Sequence, residues 1–269
     1  MALNNFKGTV WSDAIQAALE QQLVAGALVN TSYQGELGRN TTVRINKISA
    51  LSVEDYDGVT PLSPETLAST TVDIVVDQAK AVAFKLDDVD AAQATPALLA
   101  AATREAAVAM AAEMESHLIG KMSDAATSLG NKELSATYGA WDVLMDLLVA
   151  QDNANVPSTD RFVIVSPAFA AKLAADSRLN RGTVAGDAVA RTGFVGEAAG
   201  YAVYKSVNIA TDTVVAGHTV GCAFVQQVNT TEAVRSGDFF ADVVRTLSVY
   251  GAKVIRTEVF KKASWSIEA

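Results

Sequence analysis

Two histidines, His117 and His218, and one cysteine, Cys222, are the side chains from which a metal centre or a thiol nucleophile would have to be built. His117 follows Glu113 by four residues in a helical stretch, so the two share a helix face, but a zinc site needs further ligands at suitable spacing. Cys222 lies in an apolar strand-like run, where cysteine behaves as a small hydrophobe. In "DDVDAAQ" (87–93), Asp88-x-Asp90 resembles the opening of a calcium loop. The sixth position is Gln93 where glycine is needed, and the twelfth is Leu99 where glutamate is needed. These carboxylates suit the N-terminus of the helix that follows. "GFVGEAAG" (193–200) has the wrong glycine spacing for a dinucleotide fingerprint and leads into a strand rather than a helix. "VSPAF" (164–168) is a strand–turn–helix that lacks the glycines of a nucleophile elbow. The Asn-x-Ser/Thr triplets at Asn30, Asn40 and Asn229 carry no glycosylation reading without a secretion signal. The sequence therefore yields no catalytic, cofactor-binding or metal-binding residue, and no cofactor is expected.

The elements around these residues are more informative. Residues 1–10 read as an arm, and Ser12 caps a helix over about 13–25. Residues 31–70 are rich in Thr, Ser, Asn, Gly and Asp. Within them "YQGELGRNTTVRINKI" (33–48) alternates, with Val43 and Ile45 on one side and Thr42, Arg44 and Asn46 on the other. "EDYDGVTPLSPETL" (54–67) reads as turn, and "STTVDIVVDQAKAVAFKL" (69–86) as one long β-branched strand. Together 33–86 form two extended arms with an irregular tip. Thr95 and Pro96 then open the clearest helix, over 96–122. Its stripe is Leu99, Ala102, Ala106, Met110, Met114, Leu118 and Met122.

Beyond Gly130 the pattern becomes α/β. Residues 139–153 form an amphipathic helix with Trp141, Leu144, Met145 and Leu148 inward, and "RFVIVS" (161–166) is a buried strand. Residues 167–179 are helix, 180–193 loop, and 201–209 and 221–228 strands. Residues 239–260 give two β runs broken at Gly251, where glycine marks a bulge or a close backbone approach.

A chain of 269 residues that is 50% hydrophobic, with a mean hydropathy of +0.20, reads as globular. No run approaches the roughly 18 apolar residues of a membrane span, the first residues lack the apolar block of a signal peptide, and one cysteine fits a reducing compartment. At a net charge of −9 the sequence shows no basic patch, so intimate nucleic-acid binding is not expected, whereas merely enclosing nucleic acid is not excluded. The unusual features, a long polar hairpin and a long helix, are both architectural. An isolated two-stranded ribbon is marginal in water, so it is expected to lie on another subunit.

The order of these segments resembles the major capsid proteins of tailed bacteriophages with the Hong Kong 97-type fold. The segments are the helix beginning near Trp11-Ser12, the loop "YQGELGRNTTVRINKI", "DDVDAAQ" before the Ala-rich helix, "VIVSPAFAAKL", "GFVGEAAGYAVYKSVNI" and "FFADVVRTLSVYGAKVIRTEVF". The resemblance covers essentially the whole chain and implies an α+β fold in four parts. Residues 1–30 would be the N-terminal arm and helix, and 31–70 the extended β-hairpin loop lying over a neighbour. Residues 71–125 and 230–269 would be the peripheral domain with its spine helix, and 126–229 the axial domain, with loops near 180–192 around the symmetry axes. Tyr33, Glu36, Arg39, Arg44 and Lys47 become the candidate inter-subunit contacts. The implied function is a non-enzymatic shell of pentamers and hexamers in the virion, assembled in the bacterial host cytoplasm. It would enclose double-stranded DNA without sequence-specific binding and without a membrane. Separate scaffolding, portal and decoration proteins are the expected partners, because the chain opens at the arm where some relatives carry a scaffolding segment. Some relatives crosslink a Lys to an Asn; Lys47 is the loop lysine, and no partner for it is identified. The alternatives are an encapsulin-type compartment shell, a tail or decoration protein, and an α/β enzyme on 139–229.

Overall fold

The computed structural model describes residues 24–33, 42–48, 55, 69–87, 96–135, 137–176, 194–235, 237 and 240–268. The N-terminal arm, most of the helix expected over 13–25, most of the turn at 54–67, the loop at 180–193 and most of "DDVDAAQ" lie outside them.

Strand β5 (Arg161–Val165) is buried at every position. Such a run needs cover on both faces of its sheet, and the fold supplies it. The sheet has six strands in the order β4-β11-β8-β5-β7-β6. These are β4 (Thr127–Leu134), β6 (Phe194–Ala198), β7 (Tyr201–Lys205), β8 (Thr213–His218) and β11 (Lys261–Ile267) around β5. One face packs Val163, Val165, Val203, Val214, Ala216 and Ala263 under two helices, α2 (Ala140–Asp152) and α3 (Pro167–Ala175). Pro167 opens α3, and the Ser166 hydroxyl accepts from the Phe169 N–H at 3.3 Å, an N-cap that satisfies one orphan donor. The opposite face presents Phe162, Ile164 and Val215 to the long helix α1 (Pro96–Ala125).

Helix α1 has 30 residues, a length of roughly 45 Å. Its expected stripe holds where its side chains are described: Ala106, Met110, Met114, Leu118 and Met122 are all buried. Besides the six-stranded sheet it packs against a second, antiparallel sheet ordered β3-β10-β9. These strands are β3 (Gln78–Asp87), β9 (Cys222–Arg235) and β10 (Ala241–Val254). Val244, Thr246, Ser248 and Tyr250 of β10 are buried, whereas Arg245 and Leu247 between them are exposed. The helix is thus a wall shared by two sheets. Small Ala positions and adaptable Met side chains let both approach it.

The third sheet is a ribbon of β1 (Thr42–Ile48) and β2 (Ser69–Val75), antiparallel, with Val43 opposite Ile74 and Arg44 opposite Asp73. Its apolar face does not await a neighbour at the root. Val43 and Ile74 are buried against Ala223 and Val225 of β9, with Tyr33 packed alongside.

The structure differs from the sequence reading at several places. The run 69–86 is two strands: β2 pairs with β1 and β3 with β10, and a β-branched run carries no mark of a change of partner. Residues 241–254 are one strand through Gly251, whose irregularity is a register shift between Val249 and Tyr250. In α2, Met145 is 37% exposed while Val143 and Leu147 are fully buried; apolar residues surround this helix, so periodicity alone does not choose the face. Finally "TSLGNKEL" (127–134), unread as a strand, is β4, a largely exposed edge paired in parallel with β11. Residues 261–267, grouped above with 230–260, hydrogen-bond into the six-stranded sheet.

Candidate functional site

The residues with chemical potential are each engaged in packing. Cys222 is 1% exposed, and burial pushes its thiol up to about 12, so no thiolate forms at neutral pH. His218 Nδ1 accepts from the Val220 N–H at 3.2 Å, closing a turn. His117 lies edge-on to Tyr250 of β10, ring centroids 5.6 Å apart. No group of three or more His, Cys, Asp or Glu among the described residues could hold a metal ion. An open cleft is lined by Glu133, Ser135, Thr137 and Glu268. Its described lining holds carboxylates and hydroxyls and no cationic side chain. Among the described residues no helix is long and apolar enough to cross a membrane.

The surface is where this chain departs from an ordinary monomer. On the face of the three-stranded sheet away from α1, Ala79, Ala81 and Ala83 are exposed beside Leu247 at 40% and Val234 at 44%. Phe240, entering β10, is 82% exposed. The ribbon root covers one end of this same face. There Gly251 has no room for a side chain: a Cβ would lie 2.2 Å from the Val75 carbonyl oxygen. The close approach expected at Gly251 is therefore real, and its partner is the end of β2.

Of the five candidate contact residues, Arg44 and Lys47 lie in the ribbon. Arg44 is exposed, and its guanidinium donates to Asp73 directly across the ribbon, Nε to Oδ1 at 2.9 Å and Nη2 to Oδ2 at 3.3 Å. These hydrogen bonds are the main reason that the Asp73 carboxyl sits below, and the Arg44 guanidinium above, its ordinary range. Tyr33 is half-buried on its own chain's β9. Lys47 stands opposite Thr70 in the ribbon, with its side chain outside the described residues, as are Glu36 and Arg39. Sequence reasoning missed Asp73; the signal was a pair of opposite charges on two alternating strands, which becomes visible only once the register is known.

Comparison with known proteins gives the class and then the family. No family model matches the sequence, and neither does any curated protein. Solved structures do match. The capsid of cyanophage P-SCSP1u superposes with a TM-score of 0.66 at 13% identity, covering 89% of this chain and 86% of that one. The virus-like particle from Pyrococcus furiosus gives 0.63 at 12% identity, covering 96% and 99%. At such identities the likeness shows the fold, which is the Hong Kong 97 type expected from the sequence. A chain from Mycobacterium phage Che8 is 33% identical, with a TM-score of 0.76, over 90% of this chain and 91% of that one. The chain belongs to the tailed-bacteriophage major capsid proteins of the Hong Kong 97-type fold. It is a structural, non-enzymatic component of the virion shell.

Proposed function

We propose that copies of this chain close into an icosahedral shell of pentamers and hexamers that encloses the phage's double-stranded DNA, with scaffolding, portal and decoration proteins as partners. The observation that carries this reading is the 33% identity to the Che8 chain over nine-tenths of both sequences. The charge supports a container rather than a DNA clamp: at −9 the protein would enclose the genome without gripping its phosphates. The division of labour is residues 1–30 as arm and helix and 31–70 as a loop over a neighbour. Residues 71–125 with 230–260 form the peripheral part and 126–229 the axial part, to which 261–267 adds its strand. Tyr33, Glu36, Arg39, Arg44 and Lys47 line the loop's contacts with the adjacent copy, and exposed apolar positions such as Phe240 and Leu247 are covered on assembly.

A second reading has one observation in its favour, the virus-like particle whose fold covers 96% of this chain: a closed compartment that houses protein cargo. Purified particles separate the two. DNA and a portal vertex support the phage head; a symmetric shell with cargo protein and no portal supports the compartment. A chain that stays monomeric at high concentration and forms no particles overturns both.

A further inference from the structure

We propose that His117 is an acid-sensitive latch that holds α1 against the three-stranded sheet and loosens that contact as pH falls. The His117 ring meets the Tyr250 ring edge-on at an interplanar angle of 75°. Tyr250 is fully buried in the core that contains Met110, Met114, Leu118 and Phe224. The polar tips of both rings, His117 Nε2 and Tyr250 OH, are buried and make no hydrogen bond among the described residues. A proton on the imidazole would thus place a charge against the buried Tyr250 ring, with no acceptor for Nε2 among the described residues.

The charges that face His117 come from every element around it. Lys121 and Glu113 lie on α1, Lys80 on β3 and Asp77 just before β3. Glu113 is already committed to Lys80, at 2.6 Å. An imidazolium would have Lys121 and Lys80 as like-charged neighbours and Asp77 as its remaining counter-charge. Burial first, and Lys121 next, hold the imidazole below its ordinary range. The unfolded chain therefore takes up a proton before the fold does, and stability falls as pH drops below about 6.5. Release would be one-sided. On another face of α1 the buried Glu115 carboxylate accepts a hydrogen bond from Ser206, just beyond β7, and ties the helix to the six-stranded sheet. In a shell the latch would let the three-stranded sheet shift against a fixed spine. That consequence rests on the capsid reading; the latch does not.

The test is amide hydrogen exchange read by mass spectrometry on assembled particles, corrected for intrinsic exchange, between about pH 8 and about pH 5. The wild type is compared with His117→Phe and His117→Gln, both neutral throughout, and with His218→Gln as control. The expected result is that protection of residues 110–122 falls several-fold in the wild type, in the direction set by the lowered imidazole. It stays level in the two His117 variants and falls as in the wild type in the control. His117→Gln serves where His117→Phe fails to assemble. An equal fall with and without His117, or no fall in the wild type, overturns the latch. Particles are imaged separately at about pH 8: missing shells count against the capsid reading, and well-formed shells with a flat response count against the latch alone.

Discussion

At the scale of single residues, two glycines show how the backbone decides what a side chain would do. Gly251 lies in β10 with the Val75 carbonyl oxygen 2.2 Å from where a Cβ would stand. The obstacle is backbone, which cannot rotate aside. Gly251→Val is expected to cost about 3 kcal/mol or more by overpacking, and to lower the yield and melting temperature of particles in calorimetry. A melting temperature equal to the wild type would remove the special status of the site. Gly120 is the opposite case. It lies inside α1, and beyond its chain neighbours and the helix's own backbone no atom of the described residues comes within 4 Å of an added Cβ. Gly120→Ala should stabilise by about 0.5–1 kcal/mol, because alanine loses less backbone freedom in a helix. The same calorimetry reads it as a rise.

At the scale of elements, the ribbon root is the contact to test. Ile74 is fully buried while its neighbour Val75 is 49% exposed. Ile74→Ala should cost about 2–5 kcal/mol, and Val75→Ala less than about 0.5 kcal/mol. Comparable losses in thermal unfolding would mean that the root is not seated on β9. This contact also marks the limit of reading the sequence. The alternation of Val43 and Ile45 identified the strand and its inward face, but the apolar stretch on β9 that receives that face lies about 180 residues along the chain. Local periodicity says that a face is apolar, never what covers it, so a neighbouring subunit was expected where the chain covers itself. Helix α1 and strand β5 were legible because Pro96, the Ala-rich run and the unbroken apolar stretch from Phe162 to Val165 are local signals. The break between β2 and β3 and the polar edge strand β4 were not, because both are defined by partners. The ribbon's contact residues remain proposals. Arg44 has Asp73 opposite it, and that pairing depends on register rather than on composition.

At the scale of the whole molecule, α1 is the wall between two sheets, and the ribbon leaves the body from the outer face of one of them. A shell multiplies each such feature by its copy number. Closure makes later contacts effectively intramolecular, so weak interfaces suffice, and a change too small to see in one subunit can abolish assembly. Charge reversal within residues 31–70 tests this. Exposed single ion pairs contribute little, so Arg44→Glu alone should still give shells. Reversing Arg39, Arg44 and Lys47 together should abolish them in negative-stain images and in sedimentation. Because Arg44 already pairs with Asp73, the triple variant also sets two like charges face to face inside the ribbon. The exchange of Arg44→Asp with Asp73→Arg separates these effects, since it restores the internal pair while reversing the charge presented outward at both positions. Shells from the exchange, but not from the triple variant, would assign Arg44 to holding the ribbon together and leave Arg39 and Lys47 as the residues that meet a neighbour. Normal shells from both would remove ribbon charge from the assembly mechanism and leave the exposed apolar positions, Phe240 first, to carry it.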